Sequence, residues 1–305
     1  MILFDGNNFS LSETLECGQV FRFERIDVGQ PFSCVLDCDL FEVVDEYRRR
    51  AGYPIYISRA EDKVCYCFED EKNVCLVSDD EDYFYNYFDL DRDYEYIANE
   101  VKRLSKKAGF DPDLFPEAVD FARGIRILNQ SPWEALISFI ISQNNNIPRI
   151  KGIIRRLCAE LGERTADGGF AFPTPEKAAS RDKSFYSGIG LGYRDSYVLE
   201  TAKKIRDGYR LSDIFDMDAD AAAAELRTFK GVGEKVADCI LLFGFHKTDS
   251  FPVDVWIDRA YRKMGGVSTD RKKIRRELVD VFGDLSGYAQ QYLFNYFIHN
   301  PIFHA

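Results

Sequence analysis

Lys235 and Asp254 are the two residues of this chain whose types and spacing suit covalent chemistry. The run Gly233-Glu234-Lys235-Val236 reads as a helix start, which puts Lys235 in the first turn. A helix N-terminus is the positive end of the dipole, so an ammonium is disfavoured there. That placement is expected to lower the lysine's pKa toward the neutral amine, which is the nucleophilic form. Asp254, in Phe251-Pro252-Val253-Asp254-Val255-Trp256, is placed to N-cap the following helix, where a carboxylate is favoured in its charged form. An amine poised to attack and a carboxylate beside it make a catalytic pair. The plainer alternative is a solvated first-turn lysine and a simple cap.

The elements that must position this pair run from Leu226 to Asp258. They read as a helix, a Gly-x-Gly turn, a second helix and a Pro-x-Asp loop that opens a third. Gly231-Val232-Gly233 permits a tight turn that leaves backbone N–H groups uncovered. Such amides can hold a phosphate directly or share a monovalent cation with one. Behind the turn, Val236, Ile240 and Phe243 recur at helical spacing and should face a core.

This stretch resembles the helix-hairpin-helix and Gly/Pro-Asp loop of the DNA glycosylase superfamily. With Gly231-Val232-Gly233-Glu234-Lys235-Val236-Ala237-Asp238-Cys239 followed by Pro252-Val253-Asp254-Val255, it is most similar to the 8-oxoguanine DNA glycosylase/AP lyases. The resemblance runs from about Gly18 to Phe294. It implies excision of 8-oxoguanine from duplex DNA through a lysine Schiff base, with β-elimination of the strand. It implies no required cofactor, and the absence of cysteine after Cys239 argues against the iron–sulfur cluster of some relatives. Two positions depart from the family pattern: Trp256 stands where many relatives carry histidine, and Phe297 where they carry an acid. The rival readings are a monofunctional alkylbase glycosylase and a non-catalytic helix-hairpin-helix DNA-binding protein.

Around the pair, other residues have both a packing reading and a functional one. Gly18 is by itself a turn glycine; in the resemblance, Gly18-Gln19-x-Phe21-Arg22 falls on the glycine whose carbonyl accepts the N7 hydrogen of 8-oxoguanine. Asn144-Asn145-Asn146 between two apolar helices is either a good turn or a polar knuckle. In the resemblance Asn144 is a wedge entering the duplex, and Arg149 reads the base opposite. Tyr193-Arg194, flanked by Gly190 and Gly192, suits a second loop with a wedging tyrosine and a base-contacting arginine. Gln290 and Phe294 lie one helical turn apart, so amide and ring can read and stack on one base. Cys239, one turn past Lys235, can pack on the base's other face. Taken singly, each of these last three is more often core.

Composition bounds the rest. The 305 residues suggest two domains, and 46% apolar with 30% charged residues describes an ordinary globular chain. No stretch is long and apolar enough for a membrane span, and the N-terminus lacks a basic region followed by an apolar one. The expectation is a monomer, cytoplasmic and nucleoid-associated or nuclear, not secreted. The eight cysteines lack metal-ligand spacing and are read as free thiols, with Cys65 and Cys67 on one face of a strand. His246, His299 and His304 have no metal spacing either. Net charge is −11, awkward for binding a polyanion. Residues 1–108 hold 13 Lys+Arg against 24 Asp+Glu, so the remainder of the chain is balanced.

The expected fold is α+β. Residues 1–108 form a β-rich domain with an antiparallel twisted sheet, including Gly18–Phe23, Cys34-Val35-Leu36 and Val64–Phe68. The acidic, aromatic run of residues 79–100 lies at its end, with Asp89 or Asp91 capping a helix through Ile97, Val101 and Leu104. Residues 109–305 form an all-α helix-hairpin-helix domain with the Pro-x-Asp loop. In it Pro132-Trp133 opens one helix, and Pro148 lies in the first turn of the next.

Overall fold

A computed structural model describes residues 1–28, 30, 46, 52–70, 72–165 and 167–303. Strands β1 (Ile2–Asp5), β2 (Phe23–Ile26), β3 (Ile55–Ala60), β4 (Lys63–Glu69) and β5 (Asn73–Val77) form an antiparallel sheet ordered β1-β5-β4-β3-β2. The period-2 geometry of β4 sends Cys65 and Cys67 to one face, with Tyr56 and Leu76, and Tyr66 and Phe68 to the other, with Ile55 and Ile57. The Cys65 and Cys67 sulfurs lie 3.6 Å apart as free thiols. The expected strand at Cys34-Val35-Leu36 lies outside the described residues.

The segment Gly18–Arg22 is not strand; β2 begins at Phe23. The cause is Gln19, whose amide donates to the carbonyls of Thr14 (2.8 Å) and Arg126 (2.7 Å) and accepts from Leu128 N (2.9 Å). These bonds pull the segment off the sheet and tie it to the helical half. Before it lies α1 (Leu11–Glu16), capped by Ser10 and not expected from the sequence.

The acidic run at residues 79–100 supplies helix caps. Asp80 caps α2 (Glu81–Tyr87) and Asp93 caps α3 (Tyr94–Ala108), each accepting a backbone N–H of the first turn. The cap of α3 is therefore neither Asp89 nor Asp91. Asp89 faces inward, accepting from Tyr94 Oη at 2.8 Å. The interleaved aromatics Phe84, Tyr87 and Phe88 are buried. Gly109 ends α3 in the left-handed region. Tyr94, Ile97 and Val101 belong to the helical core, so the boundary drawn at residues 108 and 109 from composition follows a helix that packs with the second half.

The remaining helices are α4 (Leu114–Phe121), α5 (Pro132–Ser142), α6 (Ile147–Leu161), α7 (Pro175–Ala179), α8 (Lys183–Gly188), α9 (Asp195–Arg206), α10 (Ala219–Leu226), α11 (Glu234–Gly244), α12 (Val255–Lys263), α13 (Arg271–Phe282) and α14 (Ser286–His299). Helix α5 is apolar nearly all round and lies at the centre, packed on α11. A buried ion pair fixes the sheet half to it. Arg22 donates to Glu134 at 2.9 Å and to the carbonyls of Glu61 and Phe170, while Glu134 also accepts from Glu61 N at 3.1 Å. Removing one partner of such a pair costs roughly 3–5 kcal/mol, because the other is left charged and buried.

Candidate active site

The hairpin forms as the glycine spacing requires. Gly231 adopts φ 83°, a conformation that L side chains rarely take, and Val232 N donates to Phe229 O at 3.0 Å to close the turn. Val232 is buried and anchors the turn to the core, while Gly233 is exposed and precedes α11. A Cβ on Gly231 would collide with the ring of Tyr197 on α9.

Lys235 stands in the first turn of α11, exposed to solvent. Its Nζ lies 6.0 Å from the centre of the Phe139 ring. Phe139 is stacked on Phe243 (5.4 Å) and meets Phe21 edge-on (6.0 Å). The lysine therefore rests over an aromatic floor whose far side reaches the Gly18–Arg22 segment. One turn on, the Cys239 thiol is buried, near enough for its charge to act on Lys235.

The expectation of a lowered lysine pKa is overturned. The negative charge that Cys239 can carry holds the ammonium above the ordinary lysine value, and Asp254 adds to it. Burial opposes both and is outweighed. The Cys239 thiol itself is pushed up by burial. The helix dipole argument weighed one influence and left out the charges of Cys239, one turn on, and of Asp254. Lys235 is an ammonium at neutral pH in the free chain.

Asp254 caps α12 as the sequence implied, accepting from Trp256 N (2.9 Å) and Ile257 N (3.0 Å). The residues before it, Phe251, Pro252 and Val253, are buried and hold the loop rigid. The charges of Cys239 and Asp254 both act on Lys235, so the fold brings the pair together. Gly287 lets α14 approach α11, since a Cβ there would collide with Leu242. On α14, Gln290 is 4% exposed, its amide oxygen held by Gln291 Nε2 at 2.7 Å, and Phe294 is half-buried against the same core. Of the two positions that depart from the resemblance, Trp256 lies under the Arg259 guanidinium at 4.9 Å and Phe297 stacks on Phe303 at 4.0 Å.

A second group gathers where α5 gives way to α6. Asn144 is exposed with φ 45°, and Asn146 caps α6 by accepting from Arg149 N at 3.0 Å. Arg149 is exposed and reaches the Gly190 carbonyl at 3.4 Å. Tyr193 is 52% exposed, its hydroxyl 3.3 Å from Gln143 O and its ring edge-on to Tyr197. Gly18, with φ 88°, faces this knuckle: a Cβ there would lie 3.6 Å from Ile147 Cδ1.

Arg194 departs from its expected role. It is 2% exposed, and its guanidinium donates to the carbonyls of Gln143 (2.9 Å from Nε), Asn144 (3.0 Å) and Leu191 (3.3 Å). While it makes these bonds it cannot also read a base; it braces the asparagine knuckle from behind. Sequence reasoning also missed Phe139, Gln19 and Arg22 as parts of the site. Phe139 was legible only as one of several apolar helix positions, and the other two only as neighbours of Gly18.

Comparisons with known proteins place the chain among DNA glycosylases. Residues 1–136 match the family model of the 8-oxoguanine DNA glycosylase N-terminal domain, and residues 137–283 that of the HhH-GPD superfamily base excision DNA repair proteins. The chain is 35% identical over 239 residues to a probable N-glycosylase/DNA lyase of Methanothermobacter thermautotrophicus, covering 68% of this chain and 72% of that protein. It is also 35% identical over 236 residues to the N-glycosylase/DNA lyase of Saccharomyces cerevisiae, of whose length it spans 63%. Among solved structures, the Clostridium acetobutylicum 8-oxoguanine glycosylase/lyase, in complex with double-stranded DNA containing cytosine opposite 8-oxoguanine, superposes with a TM-score of 0.80 at 32% identity over 99% of each chain. A 3-methyladenine DNA glycosylase of Archaeoglobus fulgidus shares the fold, with a TM-score of 0.62 at 19% identity.

Proposed function

The chain belongs to the 8-oxoguanine DNA glycosylase/AP lyase family, and from that premise we propose that it excises 8-oxoguanine from duplex DNA and then cuts the strand. The observation that carries this is the convergence of Cys239 and Asp254 on Lys235, whose ammonium lies over the Phe139 ring.

A base inside a duplex is out of reach, so the nucleotide leaves the stack. Asn144 and Tyr193 fill the space it vacates, Arg149 addresses the base opposite, and the hairpin amides of Gly231, Val232 and Gly233 hold a phosphate. A monovalent cation, bound by hairpin carbonyls and shared with that phosphate, belongs to this reading. The extruded base lies between Cys239 and Phe294, with Gln290 on its Watson–Crick edge and the Gly18 carbonyl at its N7 hydrogen. Guanine lacks that hydrogen, and the mismatch of lone pairs costs it on the order of 1–3 kcal/mol.

Lys235 first loses a proton. Its lone pair then forms a bond to C1′ while the bond to the base breaks and the base leaves with that electron pair. The Asp254 carboxylate stabilises the positive charge that develops on the sugar. The resulting amine expels the ring oxygen to give a Schiff base. Loss of a C2′ proton then expels the 3′ phosphate, and water returns the lysine. The protein works as a monomer where the cell keeps its DNA, in the nucleoid or the nucleus. The decisive experiment uses duplexes containing one 8-oxoguanine opposite each of the four bases in turn. Base release with strand scission is expected; binding without release from any of them would leave only a DNA-binding protein.

The protonation state yields a prediction. The neutral amine is the active form, so the rate rises with pH until Lys235 has titrated. Cys239→Ala removes the largest influence holding the ammonium, and the alkaline limb of the single-turnover profile should move to lower pH. A limb that stays in place would mean that Cys239 does not set the lysine's proton affinity.

The burial of Arg194 yields another. Arg194→Gln loses hydrogen bonds from a charged donor, about 1.5–3 kcal/mol each, and loosens the knuckle. Excision should slow by roughly 10- to 100-fold, by the same factor whichever base lies opposite. A loss that depends on the opposite base would restore Arg194 to the base-reading role.

A further inference from the structure

Helix α13 opens with Arg271-Lys272-Lys273-Ile274-Arg275-Arg276, five cations in six residues. Cations in a first turn oppose the helix dipole, so this placement works against helix stability. Asp270 caps the helix by accepting from Lys272 N at 2.9 Å, and Ile274, Leu278 and Phe282 turn to the core. That leaves Lys272 and Arg276, four residues apart, exposed on the opposite face with Lys273 beside them.

The position of that face decides its use. Lys272 Nζ lies 2.7 Å from Glu234, the residue that follows Gly233 of the hairpin turn, and Arg227 approaches the same carboxylate at 3.3 Å. Arg271 and Arg275 are engaged by Asp258 and by Asp238 with Asp220. Among the described residues, Lys273 and Arg276 have no ion-pair partner. A chain of net charge −11 needs a local concentration of cations to meet a polyanion, and this run, beside the turn, provides one.

We infer that the exposed face of α13, through Lys272 and Arg276, is a phosphate-binding track that continues the hairpin contact along the duplex, away from the lesion. The step between the two residues is about 6 Å along the helix axis, and one strand rises about 3.4 Å per nucleotide, so neighbouring phosphates are within reach. In the DNA-free chain Glu234 occupies Lys272; the incoming phosphate takes its place. This inference rests on the proposed action on duplex DNA and adds a surface to it.

The test is the salt dependence of binding to a duplex carrying an uncleavable abasic-site analogue, and to an undamaged duplex. Each lost phosphate contact lowers the slope of log K against log salt by about 0.9, so Lys272→Gln with Arg276→Gln should lower it by about 1.8. The drop should be the same on both duplexes, and Lys272→Arg with Arg276→Lys should retain the wild-type slope. An unchanged slope in the double glutamine variant, or a drop confined to the lesion duplex, overturns the track. Base release by the wild type, measured alongside, is a separate outcome: a normal slope drop without base release keeps the track and removes the activity.

Discussion

Lys235→Gln leaves no protein–DNA adduct when borohydride is added during turnover, whereas the unaltered chain is trapped. Borohydride reduces the Schiff base, and only an amine that has bonded to C1′ can be caught in this way. Glutamine, one atom shorter and uncharged, ends in an amide that cannot form that bond. Base release should fall by at least about 10⁴-fold, the scale on which losing a nucleophile is felt. Duplex binding should survive, because the hairpin turn and α13 are untouched. An adduct of ordinary yield from the variant would move the nucleophile to another residue.

Asp254→Asn separates two duties of one carboxylate. Asparagine caps a helix about as well as aspartate, so the bonds to Trp256 N and Ile257 N should persist and thermal stability should change little. The negative charge is lost, and with it the stabilisation of positive charge on the sugar. Turnover should drop by about 10²–10³-fold, the cost of one misdirected electrostatic contact, with DNA affinity nearly unchanged. Equal losses of affinity and turnover would reduce Asp254 to a cap.

The catalytic stretch was legible because its signals are local. Two glycines in three residues, apolar positions one turn apart and an aspartate before a helix each act within a few residues, and the hairpin, α11 and the Asp254 cap follow from them. What escaped depends on the balance of several influences or on contacts between distant segments. The proton on Lys235 is set by a thiol one turn on and a carboxylate on another helix, which together outweigh burial. Arg194 looked available until its carbonyl partners on the far loop were in view. Gly18–Phe23 alternates like a strand, yet Gln19 bonds to residues 126 and 128 and takes the segment out of the sheet. The cap of α3 fell to Asp93 in a run with several acids, where neighbouring candidates look alike and tertiary contact chooses among them.

The tight seating of Gly231 against Tyr197 reaches further than the turn itself. Tyr197 meets Tyr193 edge-on, and α9 carries both the inserting loop and the ring on which the glycine rests. If the turn grips a phosphate and Tyr193 intercalates, the two act as the jaws of one caliper, joined through Tyr197. A caliper of fixed span should gauge the helix it slides along: a bulge that lengthens one strand is expected to slow excision of an otherwise identical lesion, and equal rates on bulged and regular duplexes would separate the jaws.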